Sequence, residues 1–242
     1  GLAELHHIGD PTDVTDTTNI LLSLPGETGW VLGLKYQFEN FKRLLPGSFN
    51  HLAVRYGHGI ANGGDGGSTR TWLTFGAANP ETDRFNRGYS WHIVNHFLYN
   101  FSEKFSLNGY AIYNDSKGAA ETRDLSETYF GREVFNGKRD LTVGFKAVNY
   151  ITRAFHWQTE LHYSQRQDGT QPWYRMVKLS LVPTIALRAE RSVWSRPHLR
   201  FIYSVARYND YAVQNSYSSA LEVLGNDKWA HYFGVRAEWW TW

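Results

Sequence analysis

The chain contains no cysteine and only one methionine among its 242 residues. The missing cysteine excludes disulfide bonds and thiolate metal sites, and the single methionine argues against a plastic helical core. No run approaches the roughly 18 consecutive apolar residues that a membrane-spanning helix needs. The formal net charge of +2 is too small to indicate a nucleic-acid partner. These absences leave strand-based folds as the main class to consider.

Aromatic residues are abundant, and they are concentrated at the end of the chain. The sequence has 10 Trp, 15 Tyr and 14 Phe, yet its mean hydropathy is −0.48, which argues against a helical membrane protein. In the terminal segment HYFGVRAEWWTW, alternate residues fall on two different faces. One face takes Phe233, Val235, Ala237 and Trp239, and the other takes Tyr232, Gly234, Arg236, Glu238 and Trp240. The pattern predicts a β-strand with an apolar side and a polar side.

The same alternation recurs along the chain. It is clean in segments 29–39, 49–57, 140–148, 156–166, 177–185 and 198–205, and less clean in 16–24, 91–101 and 105–114. We therefore predict about ten strands of roughly 9–11 residues, the length that crosses a bilayer when tilted. Glu103-Lys104 and Arg153-Ala154 are predicted as tight turns, and 62–90, 115–138 and 209–229 as long loops. Residues 1–242 are predicted to form a single domain.

A soluble antiparallel sandwich also has alternating strands, with its apolar face turned inward. The polar faces of this chain carry many charges, among them Lys35, Lys146 and Glu160. A soluble barrel could place these charges in water, but it would have to bury its Trp and Tyr with every N–H and O–H group satisfied. A membrane barrel uses such aromatics as an interface girdle instead. The alternation therefore favours an all-β fold, a transmembrane antiparallel β-barrel.

Three segments carry a resemblance to a known family. SFNHLAVRYG at 48–57, WSRPHLRFIYS at 194–204 and GVRAEWW at 234–240 together resemble the C-terminal half of the maltoporin family of sugar-specific outer-membrane porins. The resemblance implies an eighteen-stranded homotrimeric barrel in the bacterial outer membrane, in contact with lipid and lipopolysaccharide. It also implies facilitated diffusion of maltodextrin-like oligosaccharides or related glycosides along a line of lumen aromatics, the greasy slide. Phe49, Trp194 and Trp240 match the slide positions.

Strand alternation gives a separate indication for these three aromatics. By parity, Phe49 shares its face with Arg55, Trp194 with Arg200, and Trp240 with Arg236 and Glu238. Aromatic rings on a wet face can stack on the C–H faces of a pyranose, while neighbouring polar groups bond its hydroxyls. We therefore predict sugar-hydroxyl contacts for Arg55, Arg200, Arg236 and Glu238. Because the lumen charges have both signs, we expect neutral sugars rather than ions to be favoured.

Other interpretations of the sequence remain open. The family barrel has eighteen strands, so we expect the chain to be the C-terminal portion of a longer porin, with a redesigned small barrel as the alternative. A general diffusion porin is the second functional candidate. A third is an outer-membrane lipid hydrolase using His162 and Ser164, although no third orienting residue is evident. We predict no enzyme activity and no cofactor. We also predict no metal site, because the histidines lack the spacing of a zinc site.

Overall fold

The computed structural model describes residues 1–10, 25–39, 41–63, 74–129, 132–225 and 227–239. Twelve strands are found in these ranges: β1 Leu2–Ile8, β2 Glu27–Phe38, β3 Phe49–His58, β4 Tyr89–Ser102, β5 Phe105–Lys117, β6 Ser126–Tyr129, β7 Arg132–Phe135, β8 Gly137–Tyr150, β9 Phe155–Asp168, β10 Tyr174–Ala186, β11 His198–Tyr208 and β12 Trp229–Glu238. The helical elements are a 3₁₀ turn Gly59–Ala61 and two short helices, α1 Asp210–Gln214 and α2 Ser219–Leu224.

Ten of the strands form one antiparallel sheet in the order β1-β2-β3-β4-β5-β8-β9-β10-β11-β12. Strands β6 and β7 pair separately, inside the connection between β5 and β8. The all-β fold predicted from the sequence is confirmed, and every segment with clean alternation forms a strand. Strand β1 was not predicted, and the predicted strand at 16–24 lies outside the described residues. Within the described residues the sheet is open, with β1 and β12 at its edges.

The two ends of the sheet differ in their connections. At the turn end lie the connections 39–48, 103–104, 151–154 and 187–197, and at the loop end lie 59–88, 118–136, 169–173 and 209–228. The tight turns predicted at Glu103-Lys104 and Arg153-Ala154 are confirmed. Strand lengths also vary, because β4, β8 and β9 have 14 residues while β3 and β12 have 10.

The two faces of the sheet show opposite relations between polarity and burial. One face, the inner face, carries buried polar side chains such as Ser90, Gln158 and Thr184. The other, the outer face, carries exposed apolar side chains such as Leu34, whose relative exposure is 65%, and Leu161. A soluble sheet buries its apolar face instead. The soluble-sandwich alternative is therefore not the one that the structure adopts.

Aromatic rings gather near both ends of the outer face. Near the loop end, Tyr56 lies between Trp30 and Trp91, with ring centroids 5.2 and 4.6 Å apart. Near the turn end, Tyr99 contacts Phe41 at 5.3 Å and Phe97 at 4.6 Å. Two aromatic bands flanking an apolar zone are typical of strands that cross a bilayer.

Two buried asparagines hold the long connections together at the loop end. Asn62 accepts a hydrogen bond from the Phe75 amide at 2.6 Å and donates to the Phe75 carbonyl at 2.8 Å. Asn136 accepts from the Ala77 amide at 2.9 Å and donates to the Thr122 carbonyl at 2.7 Å. Because each amide satisfies backbone groups that would otherwise be buried without partners, these side chains stabilise the loops.

Helices α1 and α2 fold back over the inner face from the β11–β12 connection. Asn209 caps α1 by accepting from the Ala212 amide, and it also donates to the Trp173 carbonyl at 2.8 Å. A buried apolar cluster results on the inner face, formed by Ala206, Tyr208, Ala212, Val213 and Leu221. The packing narrows the space in front of β10 and β11 at the loop end.

Candidate functional site

A row of polar side chains crosses the inner face at one level of the sheet. Cross-strand register joins His51 to His96, then Tyr110, Gly144, His162 and Lys178. The Tyr110 hydroxyl and Nδ1 of His162 are hydrogen-bonded at 2.7 Å. Tyr110 can lie across the wall because Gly144 has no side chain, since a Cβ there would meet the ring at 2.6 Å.

Phe49 lies on the inner face, as its parity predicts, at the first position of β3. Its ring stacks on His51 with centroids 4.6 Å apart, and it meets the edge of His96 at 5.1 Å. Its partner across the β3–β4 ladder is Leu98, which is buried. Phe49 is therefore held at the turn end of the inner face, with polar rings beside it.

Trp194 has a different placement from the one predicted. It lies in the connection 187–197 and not on β11, so strand parity does not set its direction. This connection folds over the turn end of the inner face and lines a cleft of about 530 Å³ with Leu98, Ser106 and Tyr150. The Trp194 side chain is 57% exposed. Leu98 contributes to this cleft and is the ladder partner of Phe49, so both aromatics belong to the same end of the wall.

Glu238 is the centre of a charged cluster on β11 and β12. Its Oε1 accepts from Arg196 at 3.2 Å, and its Oε2 contacts His198 Nε2 at 2.9 Å and Arg200 Nη2 at 3.4 Å. Arg196 and His198 are only 8% and 4% exposed. Arg196 also donates to the carbonyls of Val193 and Ser195, at 3.1 and 2.8 Å. The carboxylate thus fixes the segment that carries Trp194 against the last described strand.

A second charged pair lies next to this cluster. Lys146 on β8 and Glu160 on β9 are direct partners across the ladder. Lys146 also interacts electrostatically with Arg196, Arg200 and Glu238. The charged groups of β8, β9, β11 and β12 therefore act on one another across the inner face.

The remaining predicted residues lie elsewhere. Arg55 is on the inner face of β3, opposite Gly33 and His92, and its electrostatic partner is Glu4 on β1. It belongs to the opposite part of the sheet from Glu238. Trp240 lies outside the described residues.

The structure thus brings together Arg200, Arg236 and Glu238, which the sequence predicted separately. It adds Arg196 and His198, which the sequence analysis did not select although both lie in the segment WSRPHLRFIYS. Their placement depends on a ladder contact between β11 and β12, about 40 residues apart in the chain. The basic residues just before and at the start of β11 and the carboxylate at the end of β12 could have suggested that Arg196 and His198 meet Glu238, but not the geometry of the contact.

The His162 and Ser164 pair is not arranged as a nucleophile and its base. His162 bonds to Tyr110, while the Ser164 hydroxyl lies 3.4 Å from that of Thr142 and 3.3 Å from that of Tyr217. In the part of the chain that the structure describes, no group of three or more His, Asp or Glu side chains could hold a metal ion. No helix among the described residues is long and apolar enough to cross a membrane.

Comparison with known proteins gives one match that covers almost the whole chain. The family model described as LamB porin matches residues 4–240. The matched range contains nine strands of the ten-stranded sheet, from β2 to β12, and most of the tenth, β1.

Proposed function

Because the chain belongs to the LamB porin family of bacterial outer-membrane proteins, we propose that it lets oligosaccharides diffuse along its inner face. Membership of this family points to a channel rather than an enzyme. The observation that best supports sugar passage is the turn end of the inner face, where Phe49 and Trp194 lie beside polar and charged groups. Maltodextrin-like sugars or related glycosides are the proposed substrates.

The chemistry of a pyranose fits this arrangement. The rings of Phe49 and Trp194 offer flat apolar surfaces to the C–H faces of the sugar. Polar groups around them, such as Asn108, Tyr110 and Glu238, can exchange hydrogen bonds with its hydroxyl edges. Because each contact is weak and several lie in series, a sugar can enter and also leave, as transport requires. Arg55, Arg200 and Arg236 remain proposed hydroxyl partners, and Trp240 remains a proposed third stacking position.

Conductance in planar bilayers tests the proposal. We expect the wild-type channel to be blocked reversibly by maltodextrins, and Trp194→Ala to weaken that block about tenfold, since stacking and the apolar contact are lost together. Trp91→Ala is the matched control, because Trp91 is an outer-face residue at the other end of the sheet. A channel that no sugar blocks would favour the general diffusion porin.

We also propose that residues 1–242 form a single unit of barrel wall within a larger barrel. Support comes from the edges: β1 and β12 each have only one neighbour in the described sheet, and unpaired backbone groups in lipid cost several kcal/mol each. The absence of native cysteine allows a direct measurement. If the ten strands closed on themselves, Leu5→Cys and Phe233→Cys in one molecule would form a disulfide, whereas we expect no bond in monomeric protein.

Homotrimeric assembly, and contact with lipopolysaccharide, complete the proposal. Both follow from the resemblance to maltoporins. Chemical cross-linking in native membranes measures the assembly, and three linked copies are the expected largest product.

A further inference from the structure

Two arginines oppose each other directly on the inner face. Arg200 of β11 and Arg236 of β12 are partners across the ladder. Like charges placed directly opposite on neighbouring strands destabilise a sheet. The preceding inner-face pair on the same two strands is His198 with Glu238, whose carboxylate also contacts Arg200. One carboxylate therefore faces several basic side chains.

The balance of charge around this pair is positive. The bases that interact here are Lys146, Arg196, Arg200 and Arg236, and the carboxylates are Glu160 and Glu238. Glu160 is the direct ladder partner of Lys146, so its charge is largely matched by that lysine. Glu238 is then shared among Arg196, Arg200 and His198. Arg236 adds a further positive charge opposite Arg200, which leaves a surplus of positive charge on this part of the wall.

Burial increases the effect of that surplus. Arg196 and His198 are almost fully buried, and Arg200 is mostly covered. The Nε atom of Arg200 is buried and has no hydrogen-bond acceptor among the described residues. A partly desolvated cationic group with an unused donor is costly unless an anion or a polar ligand reaches it. Arginine is also the side chain best suited to carboxylate recognition.

We propose that the Arg200–Arg236 pair binds the anionic group of an acidic oligosaccharide, such as the carboxylate of a uronic acid. The inference rests on the proposed sugar transport. The connection 187–197 supplies the rest of the subsite: Arg196 joins it to Glu238, and Trp194 offers a ring two residues earlier. One sugar ring stacks on Trp194 while its negative group approaches the arginines.

The test compares block by trigalacturonate and maltotriose in planar bilayers at low and high salt. We expect trigalacturonate to bind about fivefold more tightly than maltotriose at low salt. This advantage should shrink at high salt, because salt screens the exposed Arg236 more than the covered Arg200. Equal binding of the two sugars at low salt overturns the inference while leaving sugar transport intact. A channel that neither sugar blocks overturns the proposed function and the inference with it.

Two variants should change the result in opposite directions. Arg236→Gln should weaken trigalacturonate block about fivefold and maltotriose block much less, because glutamine can still donate a hydrogen bond to a hydroxyl but carries no charge. Glu238→Gln should strengthen trigalacturonate block. A merely structural effect would weaken block by the two sugars equally. Arg43→Gln, which removes the same charge from the exposed 39–48 connection, should change neither.

Reversal potentials in a KCl gradient distinguish an acidic sugar from a small inorganic anion. The inference holds if Arg236→Gln reduces trigalacturonate block more than maltotriose block. A change in chloride selectivity with no preference for trigalacturonate would show a site for small anions only, and this outcome overturns the sugar assignment.

Discussion

Along β9, residues of even number point to the inner face and residues of odd number to the outer face. His156 and Gln158 are 2% and 5% exposed, whereas Leu161 is 48% exposed. The polar face of this strand is thus covered and its apolar face is open, which is the reverse of a soluble sheet. Adjacent side chains of β9 therefore point into two different environments.

The two faces are therefore stabilised by different interactions. The inner face is held by side-chain contacts, such as Gln158 donating to Thr184 at 2.9 Å and Ser180 bonded to Ser204 at 2.7 Å. The outer face has few such bonds, and its exposed apolar side chains need an environment that is itself apolar. Lipid supplies that environment, as expected for an outer-membrane porin family.

An arginine placed on each face in turn should give the largest difference in the free energy of unfolding between the two faces. Val143 and Thr142 are neighbours at the centre of β8, and they point outward and inward. We expect Val143→Arg to reduce the free energy of unfolding by about 3 kcal/mol, because the charge enters the bilayer, and Thr142→Arg by less than about 1 kcal/mol. Denaturant titration in lipid vesicles measures both. Equal costs at the two positions would break the comparison between faces.

Two glycines covered by aromatic rings allow a second comparison between the inner and outer faces. Gly144 lies under Tyr110 on the inner face, and Gly109 lies under Phe97 on the outer face. We expect Gly144→Ala to cost about 1–2 kcal/mol, because Tyr110 must move away from His162 and lose their hydrogen bond. Gly109→Ala should cost less than about 0.5 kcal/mol, because the Phe97 ring can shift into lipid.

The control for this pair is Tyr110→Phe. It removes the hydroxyl and keeps the ring over Gly144, so it reports the hydrogen bond alone. If Tyr110→Phe has no effect while Gly144→Ala does, ring displacement rather than the bond sets the cost. The same vesicle titration provides all three values.

A contact between two connections at the loop end lies outside the sheet, and its loss is expected to have the smallest effect on stability. Asp124 accepts hydrogen bonds from the Thr170 hydroxyl and, at 2.6 Å, from the Thr170 amide. The hydroxyl bond, followed by the amide bond, holds the pKa of Asp124 below its ordinary value. The contact is therefore fully present above the pKa of the unfolded chain and is lost as the pH falls through the lowered folded pKa.

Hydrogen exchange at the Thr170 amide measures this contact. Asp124→Asn should lower the protection factor of this amide near neutral pH and abolish the fall of that factor at acid pH, while the denaturation midpoint of the sheet stays unchanged. A matching shift of that midpoint would mean that the loops and the sheet unfold as one unit.

Much of the sheet could be predicted because period-two alternation is a local property. It identified β2, β3, β8, β9, β10, β11 and β12, and less cleanly β4 and β5. The short gaps between strands gave both tight turns. Strand β1 was missed because neither face of its sequence, LAELHHI, is purely apolar: one parity holds Leu2, Glu4, His6 and Ile8, and the other holds Ala3, Leu5 and His7. The 209–229 loop was predicted only as a loop, since its two helices are short and depend on the cap at Asn209 and on packing against β10 and β11.

The candidate site was predictable as a list of residues but not as an arrangement. Parity placed Phe49, Arg200 and Glu238 on the inner face, and the structure agrees. Parity does not apply to Trp194, because β11 begins only at His198 and Trp194 lies in the connection before it. Ladder register, which pairs Arg200 with Arg236, has no signal in a single sequence.

The unequal lengths of the strands determine the height of the wall. A 14-residue strand such as β4, β8 or β9 is about 46 Å long and, when tilted, rises about 35 Å through an apolar zone about 25 Å tall. The 10-residue strands β3 and β12 rise only about 25 Å.

On the outer face at the loop end of β5 and β8, Asp115 binds Arg123 at 2.7 Å and approaches Arg139 at 3.7 Å. The cross-strand register joins His58 to Tyr89, Lys117 and Gly137, so β3, β4, β5 and β8 end at the same level there. The extra residues of β4 therefore extend past β3 at the turn end, and the wall is taller at β4 than at β3 on the side where Phe49 lies.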